Sequence, residues 1–186
     1  MKAGEKTSKA IITAGHHNND SGAIGNGFKE NVLNREVRDL TTARLRQLRP
    51  DLEVWNDDDN DTLSSVIKKI NAFGTAKDLQ LEIHFDSSVT PKPSGATALV
   101  ADGASARSRA FAKDLVDITS DVLDVPNRGV KSEKDSHRGR LGILHTKPAA
   151  VLLEVGFISN PTDVSQYKKW SHWLAEELAL VIIKHL

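Results

Sequence analysis

The sequence predicts an α/β fold in which a mostly parallel, twisted sheet is flanked by helices. Short apolar runs that are typical of buried strands alternate along the chain with segments of helical periodicity, and this alternation favours parallel strand pairing. The chain has 186 residues, which suits one domain with its own core. It contains no cysteine, so the core must be stable without disulfide bonds. We therefore predict a single domain spanning residues 1–186.

The strand predictions rest on short apolar or alternating runs. In residues 79–85 apolar side chains occupy every second position, which is the period of a strand and places His84 opposite to Ile83. Residues 126–139 are polar and are expected to be irregular. The other predicted strands are 9–13, 52–55, 96–100, 141–144 and 151–155.

Four segments have the periodicity of amphipathic helices. In residues 31–48 apolar side chains recur every three or four positions, and Pro50 ends the pattern. A glycine-rich run at 15–27 lies between the first strand and this helix, which is a common position for a functional loop. The other predicted helices are 62–73, 105–123 and 163–186.

The composition argues against several classes of function. Lys and Arg total 25 against 25 Asp and Glu, and this balance disfavours nucleic acid as the main partner, because phosphate backbones reward an excess of positive charge. The absence of cysteine excludes a thiol nucleophile and a thiolate zinc site. The mean hydropathy of −0.37 argues against a membrane-spanning helix, which needs about 20 apolar residues in a row.

For the oligomeric state, we expect a monomer.

Ionisable side chains lie near the predicted carboxyl ends of three strands. His16 and His17 follow the first strand, His84 lies near the end of the strand 79–85, and Glu154 lies in the otherwise apolar run VLLEVGF. Open α/β sheets place their sites at this edge. A carboxylate in an apolar run must be paired, metal-bound or protonated, because burying its charge is costly. These positions predict a site at the carboxyl edge of the sheet.

Two imidazoles and one carboxylate are the ligand set of a hydrolytic zinc site. Glu30, at the start of the first long helix, is the carboxylate closest in sequence to the loop that carries His16. A second glutamate could act as general base toward water, and Glu154 suits that role. The candidate ligands are far apart in sequence and form no compact helical signature, so their spacing alone leaves the metal site an open question.

Five segments carry a resemblance to a known family. They are AGHHNNDSGAIG at 14–25, KE at 29–30, EIHFDS at 82–87, NRGVK at 127–131 and PAAVLLEVGFISNP at 148–161. In this order they resemble the motifs of the zinc-dependent N-acetylmuramoyl-L-alanine amidases of the amidase-3 type, which occur in bacterial cell-wall hydrolases and phage endolysins.

The resemblance implies a site and a reaction. It implies one zinc ion bound by His16, Glu30 and His84, with Glu154 as the catalytic acid/base. The substrate it implies is peptidoglycan, cut at the amide between the lactyl group of N-acetylmuramic acid and the L-alanine of the peptide stem. The family usually has glycine where this chain has His17, so the ligand is open between His16 and His17, and the position after a glycine favours His16.

Several other residues are candidates with a plainer alternative. Arg128 and Arg140 suit the carboxylates of the peptide stem, but surface arginines often serve solubility. Asp86 and Ser87 could contact substrate or orient His84, or simply end the strand. In the last predicted helix, Trp170 is expected to face the core and Trp173 the solvent.

Two polar segments are expected to hold turns. Asp20 could support a metal ligand, but aspartates in glycine-rich loops more often bond their own backbone, and we prefer that interpretation. The acidic run 57–61 lacks the spacing of a calcium loop, and we expect a solvated turn.

The leading hypothesis is therefore a zinc amidase of peptidoglycan. The alternatives are a zinc carboxypeptidase or aminopeptidase acting on peptides, and a catalytically inactive peptidoglycan-binding module. The first residues have only a short apolar stretch, unlike a secretory signal, and we see no wall-binding repeats. We expect a compact, bacteriolytic phage-type endolysin that stays in the host cytoplasm until it is released to the cell wall or the periplasm. A chain without its export signal is the alternative.

Overall fold

The computed structural model describes residues 8–136 and 139–186. Its strands are β1 (Ala10–Ala14), β2 (Ile24–Gly25), β3 (Phe28–Lys29), β4 (Val54–Asn56), β5 (Leu79–Asp86), β6 (Ala96–Val100), β7 (Asn127–Ser132) and β8 (Ala149–Phe157). Its helices are α1 (Glu30–Leu48), α2 (Leu63–Phe73), α3 (Ala106–Leu123) and α4 (Pro161–His185). None of the described helices combines the length and apolar character that crossing a bilayer needs.

One six-stranded sheet organises the described residues, in the order β4-β1-β5-β8-β6-β7. The strands β4, β1, β5 and β8 are parallel to one another. β6 pairs antiparallel to β8, and β7 runs parallel to β6. The predicted α/β fold with a mostly parallel sheet is confirmed. The carboxyl ends of β1, β5 and β8 therefore meet at one edge, together with the amino ends of β6 and β7.

The two faces of the sheet are covered unequally. On one face the helices α1, α3 and α4 bury the larger core, which includes Leu81, Ile83 and Phe85 of β5. On the other face α2 and a short 3₁₀ helix, Gly142–His145, cover a smaller core. Since side chains alternate along a strand, Glu82 and His84 lie on this thinner side. Both side chains are nearly buried there, beneath the smaller core's covering elements.

Side-chain caps mark where three of the helices begin. Thr62 accepts a hydrogen bond from the Ser65 N–H at the start of α2, and Ser105 does the same for Ser108 at the start of α3. Asn160 accepts from two N–H groups of the first turn of α4, which also contains Pro161. Each cap satisfies donors that the helix cannot pair internally.

Two predicted segments have a different structure. The segment 126–139 was expected to be irregular, but Asn127–Ser132 forms β7, because its backbone pairs with β6 whatever its side chains are. Residues 137 and 138 of this segment lie outside the described residues. The prediction of a strand at 141–144 is wrong. Residues 142–145 form a 3₁₀ helix instead, and this helix packs against α2 and buries Ile143 and Leu144.

Two smaller expectations also need correction. The glycine-rich run contains a hairpin, β2 paired with β3, that the sequence did not predict. Trp170 was expected in the core, but it is 39% exposed and Trp173 is 60% exposed. The buried side of α4 is formed by Tyr167, Leu174 and Leu178 instead.

Asp163 joins three elements at the edge of the sheet that carries the candidate site. Its Oδ2 accepts hydrogen bonds from the N–H groups of Phe157 (2.8 Å) and Gly95 (2.9 Å), and its Oδ1 accepts from the Ser94 hydroxyl. The side chain is almost completely buried. It therefore ties the end of β8 and the start of β6 to the first turn of α4.

We expect Asp163→Ala to lower the free energy of unfolding by about 3 kcal/mol or more, because it leaves buried N–H donors unpaired. Urea denaturation followed by circular dichroism measures the change. Asp121→Ala, at an exposed position of α3, is the matched control and should stay within about 0.5 kcal/mol of wild type. Equal stability of the two variants would contradict the role given to Asp163.

Candidate active site

The glycine-rich loop after β1 is folded back onto the start of α1. The backbone N–H groups of Glu30 and Asn31 donate to the carbonyls of Ala23 (2.9 Å) and Ser21 (3.1 Å). One turn further along the helix, the Asn34 amide donates to the Gly15 carbonyl at 2.9 Å. The two backbone bonds cap a helix that has no side-chain cap, and all three bonds hold the loop against the start of α1.

Three of the predicted residues come together at this point. Glu30 lies between the two histidines: its Oε1 is 2.8 Å from His84 Nδ1, and its Oε2 is 3.2 Å from His16 Nε2. One donor atom from each of the three side chains lies within 4.8 Å of the other two. Glu30 and His84 are buried and His16 is half-buried. His16, and not His17, belongs to this group.

Each histidine has a second carboxylate on its outer side. Asp20 Oδ2 is 2.8 Å from His16 Nδ1, and Glu82 Oε1 is 3.5 Å from His84 Nε2. Asp20 also accepts a hydrogen bond from the Gly22 N–H at 3.1 Å. Asp20 therefore holds the turn, as we preferred from the sequence, and also contacts His16.

These carboxylates make the centre of the cluster favourable for positive charge. Burial alone lowers the pKa of His84, but its contacts with Glu30 and Glu82 and the nearby charge of Glu154 outweigh this and raise that pKa to about 10. The hydrogen bond with Glu30 raises the pKa of His16. For Glu30, burial raises the pKa, but hydrogen bonds from both histidines hold it far below its ordinary value.

The cluster fits a metal ion by donor type and by shape. Two imidazole nitrogens and a carboxylate are zinc ligands, and a three-ligand set leaves a coordination position for water. A Cβ atom at Gly15 would lie 2.1 Å from the His84 ring, and one at Gly22 would lie 2.6 Å from Glu30 Oε2 and from His16 Cδ2. Two glycines thus leave the room in which the three side chains converge. The group could hold a metal.

Glu154 lies beside the cluster on the next strand. It is 5% exposed, and the parallel register of β5 and β8 places it directly next to His84. It lines a cleft of about 450 Å³, which we name the polar cleft. Other residues of the polar cleft are Asp86, Ser87, Thr97, Arg128 and Lys131.

A second cleft opens on the other side of His84. It has a volume of about 260 Å³ and is bounded by His16, His84 and Glu82 on the site side. Its far wall is formed by apolar side chains of α2, of β8, of the 3₁₀ helix and of the residue before that helix. We name this second cleft the apolar cleft. Those side chains are Val66, Leu141, Ile143 and Leu152. The cluster and Glu154 therefore lie between two clefts of different polarity.

The remaining predicted contacts divide between the clefts and the surface. Arg128 lines the polar cleft, where its guanidinium lies 5.0 Å from the centre of the Phe157 ring. Asp86 and Ser87 line the same cleft. Arg140 is exposed and is not among the residues that line either cleft.

The two neighbouring histidines have different surroundings. His17 lines the apolar cleft, and its Nδ1 accepts a hydrogen bond from the Asn19 N–H. His145 contacts the Glu133 carboxylate through Nε2 at 2.8 Å, away from the His16–Glu30–His84 cluster.

Sequence reasoning missed two supports of the site. One is Glu82, although the alternating strand 79–85 places polar side chains at positions 80, 82 and 84 on one face. The other is the acidic run 57–61, which is more than a solvated turn. Asp57 is buried and accepts hydrogen bonds from the Ala14 N–H (3.1 Å) and from Arg38 Nη1 (3.0 Å). Burial raises the pKa of Asp57 to about 6 although Arg38 opposes the shift.

Comparison with known proteins identifies the family. Residues 10–184 match the amidase-3 family, described as N-acetylmuramoyl-L-alanine amidase. The uncharacterised protein YqiI of Bacillus subtilis is 32% identical over 156 residues, which are 83% of this chain and 72% of YqiI. The amidase LytC of the same organism is 31% identical over 161 residues, which are 86% of this chain but only 31% of LytC.

Solved structures have the same fold. The N-acetylmuramoyl-L-alanine amidase AmiC2 of Nostoc punctiforme superposes with a TM-score of 0.81 at 21% identity, covering 98% of both chains. The catalytic domain of the CD27L endolysin, which targets Clostridia difficile, superposes with a TM-score of 0.75 at 24% identity, covering 96% of this chain and 98% of that domain. With the match over residues 10–184, the chain belongs to the amidase-3 family of N-acetylmuramoyl-L-alanine amidases.

Proposed function

We propose that this chain is a zinc-dependent amidase that cuts the bond between the lactyl group of N-acetylmuramic acid and the L-alanine of the peptide stem. The observation that carries the proposal is the His16–Glu30–His84 cluster, in which Glu30 and His84 are buried, with Glu154 beside it. Membership of the amidase-3 family supports the same reaction. The alternatives, a zinc exopeptidase and an inactive binding module, have no comparable support.

In the proposed reaction three side chains bind the metal and a fourth transfers a proton. Zinc held by His16, Glu30 and His84 would lower the pKa of a water molecule to about 7 and polarise the scissile carbonyl. Glu154 takes the proton of the attacking water and returns it to the nitrogen of L-alanine as the carbon–nitrogen bond breaks. The products are a lactyl carboxylate and a free amine on L-alanine.

The two clefts suggest how the substrate lies. The stem peptide carries carboxylates, and the polar cleft offers Arg128 and Lys131 to meet them. The muramoyl side of the bond then lies toward the apolar cleft, where Val66, Ile143 and Leu152 form the wall. The endolysin setting stays a prediction, because the likeness to the CD27L domain concerns the fold.

Digestion of purified peptidoglycan tests the proposed function. We expect new amino groups on L-alanine, their loss when a chelator removes the metal, and their return with zinc. Metal analysis of the purified protein should find about one zinc ion per chain. Bound metal without L-alanine amines would favour an exopeptidase, and a protein that binds no metal would favour a binding module.

Glu154→Gln should bind zinc as tightly as wild type and lose about 100-fold or more in kcat, because an amide cannot accept the proton from water. Turnover on purified muropeptides and zinc affinity by chelator competition measure the two effects. Glu177→Gln, on the half-exposed side of α4, is the matched control and should keep wild-type kcat. A Glu154→Gln enzyme with wild-type turnover would falsify the acid/base assignment.

Gly22→Ala should weaken zinc binding by about tenfold or more, since its Cβ would press on Glu30 and His16. Gly103→Ala is the matched control: both glycines have positive φ (61° and 75°), but a Cβ at Gly103 meets no described atom within 4 Å. Both variants therefore share the backbone strain, and only Gly22→Ala crowds the cluster. Equal zinc affinities would contradict the proposed cradle.

A further inference from the structure

Glu82 is a buried carboxylate that the proposed reaction does not use. It is 4% exposed and lies on β5, two residues before His84 on the same side of the sheet. Its Oε1 faces His84 Nε2 at 3.5 Å. A buried charge of this kind is costly unless partners compensate for it, so its position calls for an explanation.

Thr13 holds the other oxygen of this carboxylate. Thr13 and Glu82 are direct neighbours in the register of β1 and β5, and the Thr13 hydroxyl donates a hydrogen bond to Glu82 Oε2. Thr13 itself is fully buried. The pairing of β1 with β5 and the hydrogen bond from Thr13 therefore restrict the Glu82 side chain to few rotamers.

The two histidines of the cluster are arranged in the same way. His16 presents Nε2 to Glu30 and Nδ1 to Asp20, and His84 presents Nδ1 to Glu30 and Nε2 to Glu82. A neutral imidazole that binds a metal through one nitrogen carries its proton on the other. A carboxylate facing that second nitrogen fixes both the tautomer and the ring orientation.

We propose that Glu82 is a positioning residue which, held by Thr13, keeps His84 turned with Nδ1 toward the metal. This inference rests on the metal centre of the proposed function. It assigns Glu82 no contact with the scissile bond, and it accounts for both oxygens of a buried carboxylate. Glu82 thus supports His84 from the same strand, and Thr13 supports Glu82 from β1, on the side of β5 opposite to Glu154 on β8.

The test compares zinc affinities of purified variants by competition with a chromogenic chelator. Glu82→Ala should bind zinc about 10- to 100-fold more weakly than wild type. Glu82→Gln should recover part of that loss, because its amide oxygen can still accept from His84. Thr13→Val keeps the carboxylate but frees it to rotate, so its affinity should fall between those of Glu82→Ala and wild type.

Asp78→Asn is the matched control. Asp78 is a buried carboxylate that immediately precedes β5, and it accepts hydrogen bonds from the backbone N–H groups of Lys9 and Thr75 at the far edge of the sheet. Its loss should lower the free energy of unfolding and leave zinc affinity unchanged. Urea denaturation of every variant shows whether each remains folded. The visible spectrum of bound Co²⁺ should change in Glu82→Ala and return toward wild type in Glu82→Gln.

Each outcome decides the question. Wild-type zinc affinity in folded Glu82→Ala would overturn the inference, and wild-type affinity with lost turnover would move Glu82 into the reaction itself. If Glu82→Ala does not fold, Glu82→Gln and Thr13→Val decide by the same measurement, and wild-type affinity in both overturns it. A wild-type protein that binds no zinc would instead overturn the metal centre of the proposed function.

Discussion

The carboxylate of Glu30 is the contact on which the site depends, because it joins two histidines that the fold delivers separately. His16 comes from the loop after β1, and His84 comes from within β5. Glu30 reaches both because it is the first residue of α1 and the loop is bonded to that first turn. The amino end of a helix also favours a negative charge. Helix start, loop and strand are therefore fixed together at one carboxylate.

The direction of the strands explains why two different clefts meet at this point. β1, β5 and β8 are parallel, so their carboxyl ends bring His16, His84 and Glu154 to the same edge. β6 then reverses direction, which brings its amino end and that of β7 to that edge, with Arg128 on β7. On the other side of His84 the sheet is covered by α2, which supplies apolar side chains. The reversal of β6 thus brings Arg128 to the polar cleft, and α2 supplies part of the apolar wall of the other cleft.

Much of this could be predicted from the sequence, and the reasons differ by element. The alternating strand 79–85 and the helix 31–48 have strong periodicity because each turns one apolar face to the larger core, and both exist as predicted. β7 has no such pattern, because an edge strand is held by backbone pairing with β6 and needs no apolar face. The run 141–144 is apolar because it is buried, but burial alone does not distinguish a strand from a 3₁₀ helix.

The residues of the site also divide into those that the sequence predicts and those that depend on strand pairing. Residue types and strand ends predicted His16, His84 and Glu154, because ionisable side chains near the carboxyl ends of parallel strands are typical of a functional site. The support from Asp57 and Thr13 could not be predicted, since it depends on which strands are neighbours. Asp57 contacts Ala14 only because β4 pairs with β1. Thr13 contacts Glu82 only because β5 pairs with the other side of β1. Sequence patterns indicate which faces are buried, and they do not give the order of strands in a sheet.

The negative charges around the cluster are expected to lower the stability of the folded chain. Glu30 acts on both imidazoles, Asp20 acts on His16, and Glu82 and Glu154 act on His84. Three of these four carboxylates are buried. Two like charges about 4 Å apart repel by about 4 kcal/mol at the effective dielectric constant of a protein near its surface. Positive charge at the centre of such a group, either protons on the histidines or a metal cation, relieves this repulsion. A cation that binds only the folded chain stabilises it by mass action. Charge that would weaken an ordinary core is therefore what makes this edge of the sheet able to hold a metal ion.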